Sequence, residues 1–487
     1  MQPPPSTALP CPSRRTLLGL FSLALLPRLA LVLAFLGSPI GLDDMFQYDM
    51  LARSLASGQG YRWYGRADVT LLRPYLDRFY GIDLPTEQVP VEGYLTTFRA
   101  PGYPLFLAGL YALAGLQNRL AAARLAQALL GATLAPLTAV LALRLGLAPR
   151  ASRCAGIVLA LYPILWMYPI GLASENTFIP LVVLGLLGLL SAGKPRRTPP
   201  AIAAGLVLGA ATLTRAALAP FLVLGALWLW RRAGLRRAAL FVLAAGAVLL
   251  PWAIRNSLIL GRPAFVENSA GYNLFVGYHP EGNGGLDVRV SVLPLRILDD
   301  GERDRWATTQ ALGFIRADPL RALALLPRRL ACFWGLEDRE LIYFYSNNYF
   351  GPIPQPWLAL AYLVLVGPLI AVGLTAPFGM ARAPDRSGRL LGLGLIGAAL
   401  LAYVPILAEP RFHLPLVPVL AAYAGGFWSR PGSNSPETGE PGRHRGYWLA
   451  WTAALIILVL WGWDLALDWP RLAGILSPGG NLLGLSY

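Results

Sequence analysis

The feature that most constrains this chain is the recurrence of long, nearly uninterrupted apolar runs. They lie near residues 16–37, 121–146, 154–172, 175–192, 200–214, 216–230, 237–255, 357–378, 390–408, 412–428 and 447–467. A helix needs about 20 such residues to cross a hydrocarbon core of about 30 Å. With 55% hydrophobic and 14% charged residues and a mean hydropathy of +0.52, the chain is more apolar than a soluble domain of its length requires. The expected fold is therefore an all-α polytopic membrane protein with about eleven transmembrane helices.

The first run follows Arg14 and Arg15. It is too long for a signal peptide, and no small-residue cleavage site follows it before Asp43, so it reads as a retained anchor. The net charge of +15 does not point to nucleic acid, because the cations gather in short loops between runs. The groups are Arg150 and Arg153; Lys194, Arg196 and Arg197; Arg231, Arg232, Arg236 and Arg237; Arg382, Arg386 and Arg389; and Arg430, Arg443 and Arg445. With the amino terminus inside, every group falls on the cytoplasmic side, as the positive-inside rule predicts. That agreement requires residues 103–117 to form a short interfacial helix and not a span. Residues 38–120, residues 257–356 and the carboxyl terminus are then outside, and the two loops hold most of the Asp and Glu.

Several chemistries lack their signatures. Cys11, Cys154 and Cys332 are too scattered for a disulfide framework or a thiolate metal site. His279, His413 and His444 are equally dispersed, and neither H-E-x-x-H nor a Walker-type phosphate loop occurs. Gly392, Gly394 and Gly397 spell G-x-G-x-x-G, but inside an apolar run this predicts helix packing. The Pro-rich residues 2–12 read as a disordered tail, and the polar loop 429–446 as a linker.

The informative part begins just past the first run. From Asp44 onward, Met45, Tyr48, Leu51, Ala52 and Leu55 recur at helical spacing, which predicts an amphipathic helix on the outer leaflet. Asp43 and Asp44 sit at its amino-terminal end, where a carboxylate caps free N–H groups and complements the helix dipole. For Asp44 that role and a chemical one weigh equally. Asp43, where the chain leaves the membrane, is the better general base, because low-dielectric surroundings raise a carboxylate's basicity.

Further motifs follow in order: Gly58 and Gly60; Phe98-Arg99-Ala100-Pro101-Gly102-Tyr103-Pro104; Ser174-Glu175; Leu213-Thr214-Arg215; Pro251-Trp252-Ala253-Ile254-Arg255-Asn256; Gly271-Tyr272-Asn273-Leu274; and Glu409-Pro410-Arg411-Phe412. Together with the acidic pair, their order and spacing resemble the GT-C superfamily of membrane glycosyltransferases. The likeness is to the bacterial branch related to protein O-mannosyltransferases and lipid A aminoarabinose transferases. The resemblance implies a polyprenyl-phosphate-linked sugar donor, an acidic base in the first outer loop (Asp43, with Asp44 beside it) and inversion at the anomeric carbon. It further implies a glycan, lipid or protein acceptor and an inner-membrane location with the site facing the periplasm or exterior. Some relatives with diphosphate-linked donors use a divalent metal, but arginines can serve a monophosphate donor, so no cofactor and no obligatory metal are expected. Residues 1–256 are then a GT-C-like catalytic module, 257–356 an extracytoplasmic loop region and 357–487 the carboxyl-terminal transmembrane helices.

Elementary electrostatics agrees with this scheme. A departing lipid phosphate gains charge as the glycosidic bond breaks, and arginine, always charged and able to donate two parallel hydrogen bonds, suits that charge. Arg99, Arg215, Arg255 and Arg411 fall at outer ends of spans, where an interfacial snorkelling role is an even alternative for any one of them. Glu175, at an outer turn, is expected to bind a sugar hydroxyl, orient an arginine or cap the next helix. Arg28, mid-span, is expected either to pair with a carboxylate across the bundle or to snorkel.

The aromatic insert at 61–97, with Tyr61, Trp63, Tyr64, Tyr75, Phe79 and Tyr80, departs from the family pattern and reads first as interfacial packing. The segment 257–356 reads as an acceptor-facing cap, with a basic amphipathic helix around Arg321–Trp334. The competing reading, a lipid or solute transporter or flippase, predicts paired halves with broken helices at the midplane, and no such halves are present. A non-catalytic scaffold remains, and Asp43 discriminates it.

Overall fold

The computed structural model describes residues 11–81, 86–194, 198–429 and 441–482. The expectations for residues 2–10, for Arg196, Arg197 and Arg430, and for most of the 429–446 loop lie outside them. So do the side chains of Phe79, Tyr80, Arg443, His444 and Arg445.

The chain opens with α1 (Arg14–Ala34), started by Ser13, whose hydroxyl accepts from the Thr16 N–H at 3.2 Å. The first loop then builds α2 (Asp44–Ala56), β1 (Arg62–Trp63), α3 (Arg66–Tyr80), β2 (Tyr94–Leu95) and α4 (Gly102–Ala114). Helices form from Asp44 and within 103–117 as expected, but α2 is buried within the protein along most of its length, where an amphipathic surface helix would keep an exposed polar face. The loop also carries a two-stranded antiparallel sheet in which Arg62 pairs with Leu95 and Trp63 with Tyr94.

The first bundle comprises α5 (Arg119–Ala132), α6 (Leu134–Arg144), α7 (Pro149–Ala160), α8 (Ile164–Met167), α9 (Glu175–Ala192), α10 (Pro199–Thr214), α11 (Ala219–Ala233) and α12 (Leu235–Leu260). The second loop holds α13 (Ala270–Tyr278), α14 (Val288–Ser291), α15 (Asp300–Ala317), α16 (Pro319–Phe333) and α17 (Arg339–Ser346). The chain closes with α18 (Gln355–Arg382), α19 (Arg386–Tyr403), α20 (Val417–Trp428) and α21 (Pro441–Ile475).

Each predicted span coincides with a helix or a pair of consecutive helices. Among the described residues, however, seven helices are long and apolar enough to cross a membrane, or eight if the pair Pro149–Ala160 and Ile164–Ile170, bent by 52°, counts as one span. The remaining segments fall short for identifiable reasons. α10 has only 16 residues. α20 has 12 and is buried on nearly every face, so it meets protein where a full span would meet lipid. α19 begins with Arg386 and Arg389.

Helix contact in the bundle relies on small residues, as expected where lipid is as apolar as leucine. A side chain at Gly425 of α20 would stand 2.6 Å from the Ala151 carbonyl of α7. Of the G-x-G-x-x-G run, Gly392 packs against Val419 and Tyr423 of α20, whereas a side chain at Gly394 would only touch Leu224 at 3.9 Å and one at Gly397 would meet nothing within 4 Å. Arg28 follows neither expected course: fully buried, it donates to the carbonyl oxygens of Ala24 at 2.6 Å and Leu159 at 3.5 Å, and among the described residues it pairs with no carboxylate.

Gly102, at the start of α4, abuts α10, and a Cβ there would lie 2.8 Å from Thr214 N and 2.9 Å from Leu213 C. Backbone cannot move aside as a side-chain tip can, so Gly102→Ala should destabilise the protein by about 1–3 kcal/mol. The check is a lowered thermal midpoint of the detergent-solubilised variant; an unchanged midpoint would mean that α4 and α10 can separate freely.

Candidate active site

The site grows from the start of α2. Asp43 caps that helix, its Oδ1 accepting from the Met45 N–H at 2.9 Å, and this puts Asp44 in the first turn and Gln47 and Tyr48 one turn on. A second strand of chain arrives from the β1–β2 sheet. Buried Asp300 accepts from Thr96 Oγ1 at 2.7 Å and Thr97 N at 2.5 Å, while the Tyr61 hydroxyl donates to the Arg99 carbonyl at 3.0 Å. Held in this way, Arg99 reaches Gln47 Oε1 at 2.8 Å and pairs with Asp44.

Here segments far apart in the chain meet. Arg411, in the 3-10 turn Pro410–Leu416, bonds Asp44 Oδ2 at 3.1 Å and Glu409 Oε2 at 2.5 Å. Glu409 Oε1 lies 3.6 Å from Arg339 Nη1 at the start of α17. The result is an alternating chain of charge: Arg99, Asp44, Arg411, Glu409, Arg339. It borders a cavity of about 710 Å³ that is also lined by Asp43, Tyr48, Tyr168, Glu175, Tyr272, Glu340 and Tyr343. That volume is within the range typical of small-molecule sites.

At the wall, Glu175 (1% exposed) pairs with Arg215 at 2.7 Å, and Arg215, behind it, donates from Nε to Ser174 Oγ at 3.0 Å. The guanidinium also lies against the rings of Phe412 and Phe178. Arg215 is thus adjacent to the site without lining it.

The two neighbouring aspartates differ in electrostatic state. Asp43 opens onto the cavity but is enclosed by protein at longer range, and that desolvation, reinforced by the Asp44 charge, raises its carboxyl above the usual range. Asp44 is desolvated too, yet the guanidiniums of Arg99 and Arg411 outweigh this and hold it well below the usual range. One carboxylate is therefore permanently ionised and engaged with arginines, while the other is able to accept a proton. Desolvation, reinforced by the nearby Asp43 charge, raises the Tyr343 hydroxyl above its usual range. Desolvation lifts Tyr272 to about 12, which keeps it a neutral donor lining the cavity.

Of the residues singled out from sequence, Asp43, Asp44, Arg99, Glu175 and Arg411 converge on one cavity, and Arg215 supports it. Arg255 goes elsewhere. It donates to the Thr96 carbonyl at 2.7 Å and Asn256 Oδ1 at 2.9 Å, stacks on Trp252 at 4.6 Å and is absent from the cavity wall. Its outer-end position and its place in the Pro251–Asn256 motif were the signals, and a snorkelling or structural arginine gives the same ones.

The insert divides between roles: Tyr61 and Trp63 are buried in an aromatic cluster with Phe98, whereas Tyr64 and Tyr75 line the cavity. The basic residues of the second loop are mostly occupied. Arg321 holds the Tyr278, His279 and Gly282 carbonyls, and fully buried Arg329 holds those of Gly277, Gly284 and Pro405. Sequence reasoning missed Gln47, Tyr168, Arg339, Glu340 and Tyr343. The run Glu337-Asp338-Arg339-Glu340, followed by the amphipathic Leu341–Ser346, was the available sign for three of them. Among the described residues no group of three or more His, Cys, Asp or Glu is gathered as metal ligands.

No protein-family model and no curated protein matches the chain. Among solved structures it is similar to ArnT from Cupriavidus metallidurans bound to undecaprenyl phosphate, with 16% identity and a TM-score of 0.49 over 97% of this chain and 75% of that one. It is also similar to the Archaeoglobus fulgidus oligosaccharyltransferase in complex with Zn and sulfate, at 13% identity and TM-score 0.48, covering 97% of this chain and 53% of the other. A third is AglB from the same organism in complex with an inhibitory peptide and a dolichol-phosphate, at 14% identity and TM-score 0.46, covering 96% and 56%. The chain thus spans little more than half the length of the archaeal proteins. At TM-scores below 0.5 these likenesses assign no residue a role.

Proposed function

We propose that the protein is an inverting membrane glycosyltransferase that moves a sugar from a polyprenyl-phosphate-linked donor to a hydroxyl of a glycan, lipid or protein acceptor. The reaction would take place on the extracytoplasmic side, in bacteria the periplasmic face of the inner membrane. The observation that carries this reading is the pairing of unlike aspartates on one cavity: Asp43 with raised basicity, and Asp44 ionised between Arg99 and Arg411.

In this scheme the acceptor oxygen attacks the anomeric carbon while its proton passes to Asp43. The bond from the anomeric carbon to the phosphate oxygen breaks on the opposite face, and the electron pair leaves with the polyprenyl phosphate. Arg411 and Arg339, spaced by Glu409, receive the added phosphate charge, and Arg99 is held ready by Asp44 and Gln47. Glu175, oriented by Arg215, faces the sugar hydroxyls. Arg255 supports the loop that carries Arg99 and has no direct part. Residues from 1–256, 257–356 and 357–487 all contribute, so the proposed division of the chain describes where chemistry originates, with the site formed between the parts.

The test is transfer of radiolabelled sugar from a panel of polyprenyl phosphosugars to membrane extract by the purified protein. Transfer from at least one donor supports the reading. Failure with every donor, together with movement of lipid or solute across reconstituted vesicles, would replace it with transport.

The pH dependence has a defined sign. The working form of Asp43 is the carboxylate and its pKa is raised, so kcat/KM should fall as pH is lowered through a value above the ordinary aspartate range of about 3.9. In Asp44→Asn the repelling charge is gone, and the acid limb should move to lower pH. A limb unmoved by that change would assign it to another group.

A further inference from the structure

Two segments deliver the arginines proposed to meet the phosphate: α17 brings Arg339, and the 409–413 stretch brings Arg411 with Glu409. Away from the cavity, the same two segments are joined by a buried contact that the scheme above does not use. His413 Nδ1 lies 2.8 Å from the Phe333 carbonyl, and Nε2 lies 3.0 Å from Glu337 Oε1. A carbonyl only accepts, so Nδ1 bears a hydrogen, and the Nε2–Oε1 contact then shares one proton. The Tyr162 hydroxyl donates to the same Oε1 at 2.9 Å.

The corner between α16 and α17 is gripped from α21 as well. Trp461 Nε1 donates to the Trp334 carbonyl at 2.6 Å, and Asp464 Oδ2 accepts from Leu336 N at 3.1 Å. Tyr162, Glu337, His413 and Asp464 are all buried, and none of them lines the cavity.

Resting on the transferase reading, we propose that Glu337 and His413 are positioning residues that set the spacing and rotation of the two arginine-bearing segments about Glu409. Chain geometry gives the reason. Glu337 is two residues before Arg339 and His413 two residues after Arg411, so the Glu337–His413 bond constrains the chain on both sides of the Arg339–Glu409–Arg411 chain. One residue of slip at the start of α17 rotates that helix by about 100° and takes Arg339 away from Glu409. Apolar packing resists such rotation poorly because it is non-directional, whereas a buried hydrogen-bonded pair specifies one orientation at the cost of desolvation.

The test combines kinetics with hydrogen–deuterium exchange on the full-length protein in detergent. Glu337→Ala should raise donor KM about tenfold with a smaller change in kcat and speed exchange in peptides covering 339–346. Glu337→Gln, whose amide nitrogen at the Oε1 position can donate one hydrogen to His413 Nε2 and the other to the Tyr162 hydroxyl oxygen, should stay within about threefold of wild type. Adding Arg339→Ala to Glu337→Ala should cost little beyond Arg339→Ala alone, because both act through one group.

If Glu337→Ala does not fold, Tyr162→Phe, which removes only the hydroxyl that bonds Glu337 Oε1, takes its place in the same cycle. Unchanged exchange and KM, or losses that add fully to those of Arg339→Ala, would overturn the proposal and leave the pair a matter of stability alone. If wild type transfers no sugar, the transferase reading fails by itself, and the exchange arm still decides whether Glu337 holds α17.

Discussion

Asp43→Asn is expected to lower kcat by about 10²–10⁴-fold, the usual contribution of a general base, with donor KM changed by no more than about threefold. The substitution is unusually clean, because asparagine caps helices as well as aspartate does. Its Oδ1 can still accept from the Met45 N–H, so α2 and the residues it presents should stay in place. Asp44→Asn should behave differently. Asp44 is the shared anion between Arg99 and Arg411, so losing its charge leaves two guanidiniums facing each other, and the effect should fall mainly on donor KM. Steady-state kinetics of the two variants separates the roles: similar kcat losses in both would make the aspartates one coupled unit, and full activity in Asp43→Asn would move the base to Asp44 or Glu175.

The largest stability effect is expected at the Glu175–Arg215 pair. Removing Arg215 as Arg215→Met leaves a 1% exposed carboxylate without its cation, and breaking a buried pair in this way costs about 3–5 kcal/mol. Removing the charge from both sides, in Glu175→Gln with Arg215→Met, should recover most of that loss, because the desolvation penalty disappears with the pair. Thermal unfolding of the two proteins in the same detergent gives the comparison. A single variant that melts like wild type would show that Glu175 is neutralised by other means. Activity should stay low in the double variant despite its recovered stability, since Glu175 faces the cavity.

How far the site was legible depended on whether the determining interactions were local. The Asp43 cap is a contact between residues two apart, so the pattern of polar and apolar residues around 43–55 exposes it. The aspartates and arginines at outer ends of spans were candidates because an ionised group beside lipid is costly enough to need a purpose. The same logic admitted Arg255, which the structure assigns to the Thr96 carbonyl and Asn256, because cost identifies residues that need a partner without saying which partner. Arg339, Glu340 and Tyr343 carried no such cost signal, since a long polar loop can place charges in water.

The sequence by itself determined the helical, polytopic class, the division into membrane runs and two polar loops, and the local start of α2. A spanning helix satisfies its backbone polar groups within itself, so these properties follow from apolar runs one at a time. Only the tertiary structure decided that Asp44 meets Arg411, 367 positions away, that Glu175 meets Arg215, and that Glu337 and His413 join two walls of the cavity. Those pairings depend on the lateral arrangement of helices, which is set by close contacts of small residues such as Gly425 against α7 and Gly102 against α10. Many helix arrangements satisfy the same apolar runs, and packing complementarity between distant segments selects one of them.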